Sequence, residues 1–494
     1  MSMMPLLSLI VWSPVVGALI LLLLPSHQVK ALRAVATAFM AIPLLGVAVA
    51  LASWAAGGMD GTSLGWVEKV RWMPSLGISY YLGVDGLSLA LLALAALIGV
   101  VAAIASYGID HRAKEYFVAL LLMQTGVLGV FSAQDLILFY FFWELSLIPM
   151  YFIISIWGHG RKEYSAIKFI IYTMVASLIM LVGILALYFL TGARTFAIPE
   201  LVQLGGALPF RWQLWLFAAF FLGFAVKVPV WPLHTWLPDA HVDAPTPGSV
   251  VLAAVLLKLG AYGLIRIAFP AFPAAFHHWQ GLLALLGVVG IVYGALTALG
   301  QRDLKKLIAY SSVSHMGFVL LGFAAATPLA ITGAVFQMIS HGLIAAMLFL
   351  MAGVFLDRFH TRDMQAFSGL YTLMPVGSTF MALAAFANLG LPFLSGFIAE
   401  FFTLLGAYPV FPQLVWIAAG ALLLTAAFNI YMMQRILMGK PRWEHEGIPD
   451  VTPRELTSLV PLAALVVVLG VLPFLAVNLY EGPVLKIMAR LGGF

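Results

Sequence analysis

The sequence predicts an all-α polytopic membrane protein with about fourteen transmembrane helices, and three observations carry that prediction. Of 494 residues, 63% are hydrophobic and only 9% charged, whereas an ordinary soluble domain carries about 25% charged residues. The apolar residues gather in long runs, each near the ~20 residues a helix needs to cross a bilayer. No stretch of about ten residues alternates apolar and polar as a membrane strand would, which leaves helices that satisfy their own backbones.

Along the chain the spans are expected at 5–25, 30–57, 84–108, 115–131, 134–156, 165–191, 213–228 with a broken continuation to 243, 246–269, 279–299, 304–325, 328–356, 373–408 (interrupted), 413–438 and 457–480. The first run ends in PSHQVK rather than in a small-residue cleavage site, and a second apolar run follows at once, so it is read as a retained helix. There are no cysteines, which excludes disulfides, thiolate-held iron–sulfur clusters and cysteine zinc sites. Of the 25 Lys and Arg, fifteen, Lys305 among them, fall in the loops or at the helix ends after odd-numbered spans, seven fall on the opposite side, and Lys168, Lys227 and Lys258 lie inside apolar segments. That asymmetry places both termini on the outer side of a cell membrane and explains the basic excess without a nucleic-acid partner.

The charges inside the spans are the informative set, because an ionisable group at bilayer depth costs several kcal/mol unless paired or wetted. Glu144 sits mid-helix in LILFYFFWELSLIPMYF, and Lys258 sits in VVLAAVLLKLGAYGLI. Glu400 follows the interrupted stretch ANLGLPFLSGF. Lys168 lies about one turn inside its span, where a snorkelling lysine is at least as good a reading as a functional one. His315 and His341, taken singly, read as satisfied core residues. No two ligands recur three or four residues apart on one helix, so a metal site is not indicated.

Lys227 opens the stretch KVPVWPLHTWLPDAHVDAPTPGS. Pro229 and Pro232 remove backbone donors just after it, so the helix breaks there. A helix starting near Gln213 places Lys227 roughly 21 Å along it, deep and beside the break. Irregular backbone at that depth survives only where protein or water satisfies it. Gly390 and Pro392 make a second break, followed by Glu400. Glu144 precedes Lys227 by 83 residues, and His315 precedes Glu400 by 85. The whole chain, 1–494, is thus expected to be one integral membrane domain. Its internal repeats would be two inverted five-helix units, 115–269 and 279–438, each with a broken helix, as in transporters.

WLPDAHVDAPTPGSVVLAAVLLKLGAYGLIR (236–266), DLKKLIAYSSVSHMG (303–317), HGL (341–343) and ANLGLP (387–392) closely resemble the antiporter-like subunits of respiratory complex I. The resemblance covers nearly the whole chain. It implies that Glu144 and Lys227 form a modulating acid–lysine pair, that Lys258 is the central bridging lysine, and that His315 and His341 continue the polar axis to Glu400 as terminal proton-transfer residue. Lys168 matches the lysine of span 6 in that family, with a less defined role. An acid at 400 departs from the sister L and N subunits, which usually carry lysine there. The resemblance also implies proton translocation driven by quinone reduction elsewhere, with no cofactor in this chain. FMN, iron–sulfur clusters and quinone would belong to partner subunits, and the L-type and N-type subunits would be neighbours in the membrane. A multi-subunit Mrp-type cation/proton antiporter shares the fold and is the alternative. A non-pumping spacer would explain none of the five intramembrane charges.

Overall fold

A computed structural model describes residues 5–58, 63–442 and 448–492. Twelve helices among them are long and apolar enough to cross a membrane. Helices α1 (Leu6–Leu23) and α2 (Val29–Ser53) pair, and α3 (Gly86–Ala105), α4 (Ala113–Ser132), α5 (Leu136–Trp157) and α6 (Lys162–Thr191) follow. A short α7 (Ile198–Gly206) leads to the broken pair α8 (Phe210–Lys227) and α9 (Trp236–Asp243), and then to α10 (Thr246–Ala271). The second half holds α11 (Pro273–Leu299), α12 (Leu304–Ala325) and α13 (Pro328–Phe359). The broken pair α14 (Pro375–Asn388) and α15 (Ser395–Ala407) comes next, before α16 (Pro412–Ile436) and α17 (Pro453–Val471). A final helix, α18 (Phe474–Arg490), closes the chain.

Local chemistry sets many of these boundaries. Asp85, Asp135, Asp303 and Thr327 each accept a backbone N–H of the first turn of α3, α5, α12 and α13, satisfying donors that a helix start leaves orphaned. Prolines open α11, α13, α14, α16 and α17, where the missing N–H costs nothing. Both interruptions expected from the sequence are present.

Two features differ from the expectation. Residues 65–84, treated as loop, form an antiparallel ribbon of β1 (Gly65–Met73) and β2 (Ile78–Val84). Its turn, Pro74 to Gly77, carries Gly77 at φ +75°, the left-handed conformation glycine adopts without penalty. Glu68 on β1 accepts from the backbone N–H of Leu7 at 2.8 Å, so a strand carboxylate caps the start of α1. The final apolar run, expected at 457–480, stops at Val471, because Pro473 cannot continue the α17 hydrogen-bond ladder.

The ribbon, the start of α1 and the end of α18 lie on one side, called here the terminal side; the extreme terminal residues themselves are outside the described ones. The centre of the molecule is a set of three helices. In α10, α12 and α13, 94% of the most apolar window is buried, against 33–44% in α1, α2, α6, α16 and α17. A helix apolar all round belongs inside. Those three central helices carry Lys258, His315 and His341.

Candidate functional site

Lys227 is the last residue of α8, 2% exposed. The break beyond it is satisfied from within: the Trp236 indole donates to the Val226 carbonyl at 2.9 Å, and Val230 N–H donates to Ala225. With the backbone occupied, the lysine head turns to α5. Its Nζ donates to Ser146 Oγ at 3.0 Å and sits 4.0 Å from the centre of the Trp143 ring, a cation–π contact strengthened by exclusion of water. Glu144 makes no ion pair with Lys227 within 4.0 Å among the described residues. At about 100° per residue, Trp143 and Ser146 share a face of α5 and Glu144 is turned aside. The acid and the lysine are therefore neighbours without direct contact. Its Oε1 is buried without a hydrogen-bond partner among the described residues, while Phe141 and Ile148 on the same flank are exposed.

Lys258 is fully buried. It follows a π-helical segment, Leu252–Leu256, and such wide turns loosen the regular backbone pairing. The Lys258 ammonium reaches back to the Ala253 carbonyl at 2.6 Å and contacts His341 Nδ1 at 2.6 Å. Gly260 and Gly263 let α10 lie against the end of α8: a Cβ on Gly260 would meet the Phe224 carbonyl oxygen at 2.7 Å. The two lysines are thereby carried on directly packed helices, although no hydrogen bond joins them among the described residues.

From Lys258 the path continues by contact. The His341 and His315 rings are 5.5 Å apart between centres, and His315 Nδ1 is 3.1 Å from Glu400 Oε1. Gln337 Nε2 also approaches His315 Nδ1, at 3.1 Å. Both histidines keep Nε2 buried without a partner among the described residues, the situation in which ordered water normally supplies the bond. Glu400, 4% exposed, is folded into the second break. Gly390 holds φ +80°, and a Cβ there would lie 2.8 Å from Glu400 Oε2.

Lys168 stands apart from this chain. It does not simply snorkel: its Nζ pairs with Asp239 of α9 at 2.7 Å, both side chains one-fifth exposed. The sequence reading missed several participants. Ser146, Trp143 and Gln337 carry no charge, so no composition rule singles them out. His234 and His241 were visible in the broken stretch, yet both are buried with neither ring nitrogen bonded among the described residues. His241 stacks on Phe349 at 4.5 Å. Lys305, counted as a loop cation, is 1% exposed and donates to the Ala244 carbonyl at 2.9 Å. With Arg362 on the Val242 carbonyl and His159 N–H on that of Asp243, it satisfies the end of α9; cations are favoured at such an end. Above it, on the side away from the termini, opens a cavity of about 1230 Å³ lined by His111, His159, Asp303, Asp357 and Arg362. Burial, followed by the Lys305 and Arg362 charges, holds the loop residue His159 below the usual histidine range. Among the described residues no three His, Asp or Glu are grouped to hold a metal ion.

Fold and site together define a class: a multi-pass membrane protein with ionisable side chains strung through its core. The family model described as NADH:quinone oxidoreductase/Mrp antiporter, transmembrane, matches residues 133–425. Subunit M of the NADH-quinone oxidoreductase of Pseudomonas aeruginosa is 46% identical over 416 residues, 82% of this chain and 81% of that one. A chain of respiratory complex I from Thermus thermophilus with bound NADH superposes with TM-score 0.87 at 30% identity, covering 99% of this chain and all of that one. A chain of the Mrp complex from Dietzia sp. reaches TM-score 0.86 at 21% identity over the whole of both chains, a likeness of fold. The chain belongs to the NADH:quinone oxidoreductase/Mrp antiporter family of membrane subunits, in its subunit M or chain 4 branch.

Proposed function

We propose that this chain is the proton-translocating M-type subunit of a bacterial NADH–quinone oxidoreductase and that it contains no redox centre. The single observation that carries the reading is the contact chain Lys258–His341–His315–Glu400, buried throughout and linked at 2.6 to 3.1 Å except for the step between the two histidine rings. Groups at such distances pass protons by ordinary acid–base steps. Quinone reduction in partner subunits holding FMN and iron–sulfur clusters shifts the field at Glu144. That shift changes the proton affinity of Lys227, through charge interaction in a low dielectric. The proton is drawn from the large cavity past His241, and its passage along the axis is what couples the chain to its neighbours, the L-type and N-type subunits. The loop charges favour a cytoplasmic cavity and outward-facing termini.

Two inverted five-helix repeats, 115–269 and 279–438, within a fourteen-span domain give the axis its form. In their support, α6 packs on both halves of the first broken helix and α13 on both halves of the second. The test is proton uptake per electron pair in vesicles holding the reassembled complex. Glu400→Gln keeps size and hydrogen bonding but removes titration, so a large loss of pumping is expected, and Glu400→Lys should retain more than Gln. Parent-like pumping in Gln with inactivity in Lys would make Glu400 a structural acceptor in the break. Sodium transport without any quinone-linked activity would instead assign the chain to an Mrp-type antiporter.

A further inference from the structure

We infer that Lys258 has its own outlet to the terminal side, through Tyr262, Ser88 and the Asp85–Arg266 pair, with Glu400 holding the proton whose return along the axis loads Lys258 for release. The inference rests on the proton-translocating reading above. Lys258, Tyr262 and Arg266 recur every fourth residue of α10 and so follow one side of the helix, with about 6 Å of rise between neighbours. Tyr262 is 1% exposed; its hydroxyl lies 2.8 Å from Ser88 Oγ on α3 and 3.4 Å from the Phe131 carbonyl. Ser88 is fully buried, and its N–H donates to Asp85 Oδ1 at 3.0 Å. Asp85 Oδ2 in turn accepts from Arg266 at 2.5 Å.

Asp85 and Arg266 line a cavity of about 260 Å³ on the terminal side, bordered also by Gln134, Lys486 and Arg490. Polar groups thus recur at each step from a lysine in the centre of the molecule to a cavity on its terminal side, along stretches of α3 and α10 that are otherwise apolar or glycine. An N-cap and its partner arginine would account for Asp85 and Arg266 as structural groups. They would not account for the two hydroxyls placed between that pair and Lys258, which bond each other at 2.8 Å and so make a connected polar step rather than two isolated groups.

The transfer balances with water as the only additional reactant. Protonated Lys258 gives a proton to a water between it and Tyr262. That water protonates the tyrosine oxygen as the tyrosine hydrogen passes to Ser88, and the serine hydrogen passes through a second water to the Asp85 carboxylate, since the direct Ser88–Asp85 bond is made by the backbone N–H. Asp85, briefly neutral, loosens from Arg266 and releases the proton to water in the cavity. Each hydroxyl ends with the hydrogen count it began with. Arg266 then pairs again with the restored carboxylate.

The experiment compares Tyr262→Phe, Ser88→Ala, Lys258→Met and Glu400→Gln in the reassembled complex, measuring protons per electron pair, electron-transfer rate and subunit content. Tyr262→Phe and Ser88→Ala should each lower the proton ratio to that of Lys258→Met while electron transfer stays within about twofold of the parent. Ser88→Ala keeps the backbone cap on Asp85, so it decides the matter if Tyr262→Phe fails to assemble, and Ser88→Thr should restore pumping by restoring the hydroxyl. Parent-like ratios in Tyr262→Phe and Ser88→Ala, with loss in Lys258→Met and Glu400→Gln, would overturn the outlet and leave Glu400 as the way out. A parent-like ratio in Lys258→Met would instead sink the reading on which the outlet rests.

Discussion

Adding one methyl group at Gly390 tests whether the second break exists to hold Glu400 in reach of His315. Gly390 has φ +80°, and a Cβ there would stand 2.8 Å from Glu400 Oε2. The left-handed backbone costs an alanine about 1–2 kcal/mol, a small part of the stability of a chain this size. The contact matters more. Relieving it moves the carboxylate by about half an ångström, and a shift of that size away from His315 takes the 3.1 Å His315–Glu400 separation past the range of a sound hydrogen bond. A bond involving a charged partner is worth about 1.5–3 kcal/mol, or roughly 10- to 100-fold in a step that depends on it. Gly390→Ala should therefore assemble and support electron transfer, but lose most of the proton uptake assigned to this chain. Gly420→Ala is the control, because nothing lies within 4 Å of a Cβ added there. If Gly390→Ala pumps as well as Gly420→Ala, the break does not position Glu400.

Other substitutions separate the remaining roles. Glu144→Gln should leave assembly intact and strongly reduce quinone-coupled pumping, measured as above, with Glu144→Asp retaining part; normal pumping in Gln would remove Glu144 from the mechanism. Lys227→Ala and Lys258→Met should each be severe. Lys168→Arg should be mild, because a guanidinium keeps the charge that pairs with Asp239, and damage equal to that of Lys227→Ala would place Lys168 on the path. Ser146→Ala should lower pumping several-fold, as Lys227 loses the hydroxyl acceptor at 3.0 Å worth about 1–3 kcal/mol when buried. An unchanged Ser146→Ala would show that the Trp143 face suffices.

The sequence was most legible where lipid punishes exceptions. Lys258 and Glu400 stood out because a charge among leucines has no cheap explanation, and Pro229, Pro232, Gly390 and Pro392 marked the breaks because they alter backbone bonding directly. Twist and contact were less legible. That Lys227 faces Ser146 and Trp143 rather than Glu144 depends on the azimuth of α5 against α8, which an apolar run does not encode. The ribbon at 65–84 went unread because its alternation is weak, although a turn of Pro, Ser, Leu and Gly between aromatic-rich runs was the available signal. The π segments of α10 leave no mark in composition, yet one of them precedes Lys258 and the other contains Arg266. Lys305 was misplaced because charge runs at helix starts usually lie in water, whereas here the end of α9 takes its ammonium inside.

The spacing of the axis indicates where control over it resides. Between Lys258 and Glu400 each side chain touches or nearly touches the next, so a proton distributes there according to local affinities. Between Lys227 and Lys258 no such bond exists among the described residues, and the helices bearing them are held together by glycine contacts that leave little room for sliding. Two ammonium groups on adjacent helices repel, so charging one opposes charging the other. In the proposed mechanism Glu144, from the side, offsets that repulsion at Lys227. In that mechanism, a signal that weakens the influence of Glu144 is what hands the proton across the gap from Lys227 to Lys258. On the proposed reading the gap is then the gate, and the chain beyond it the reservoir that the gate fills.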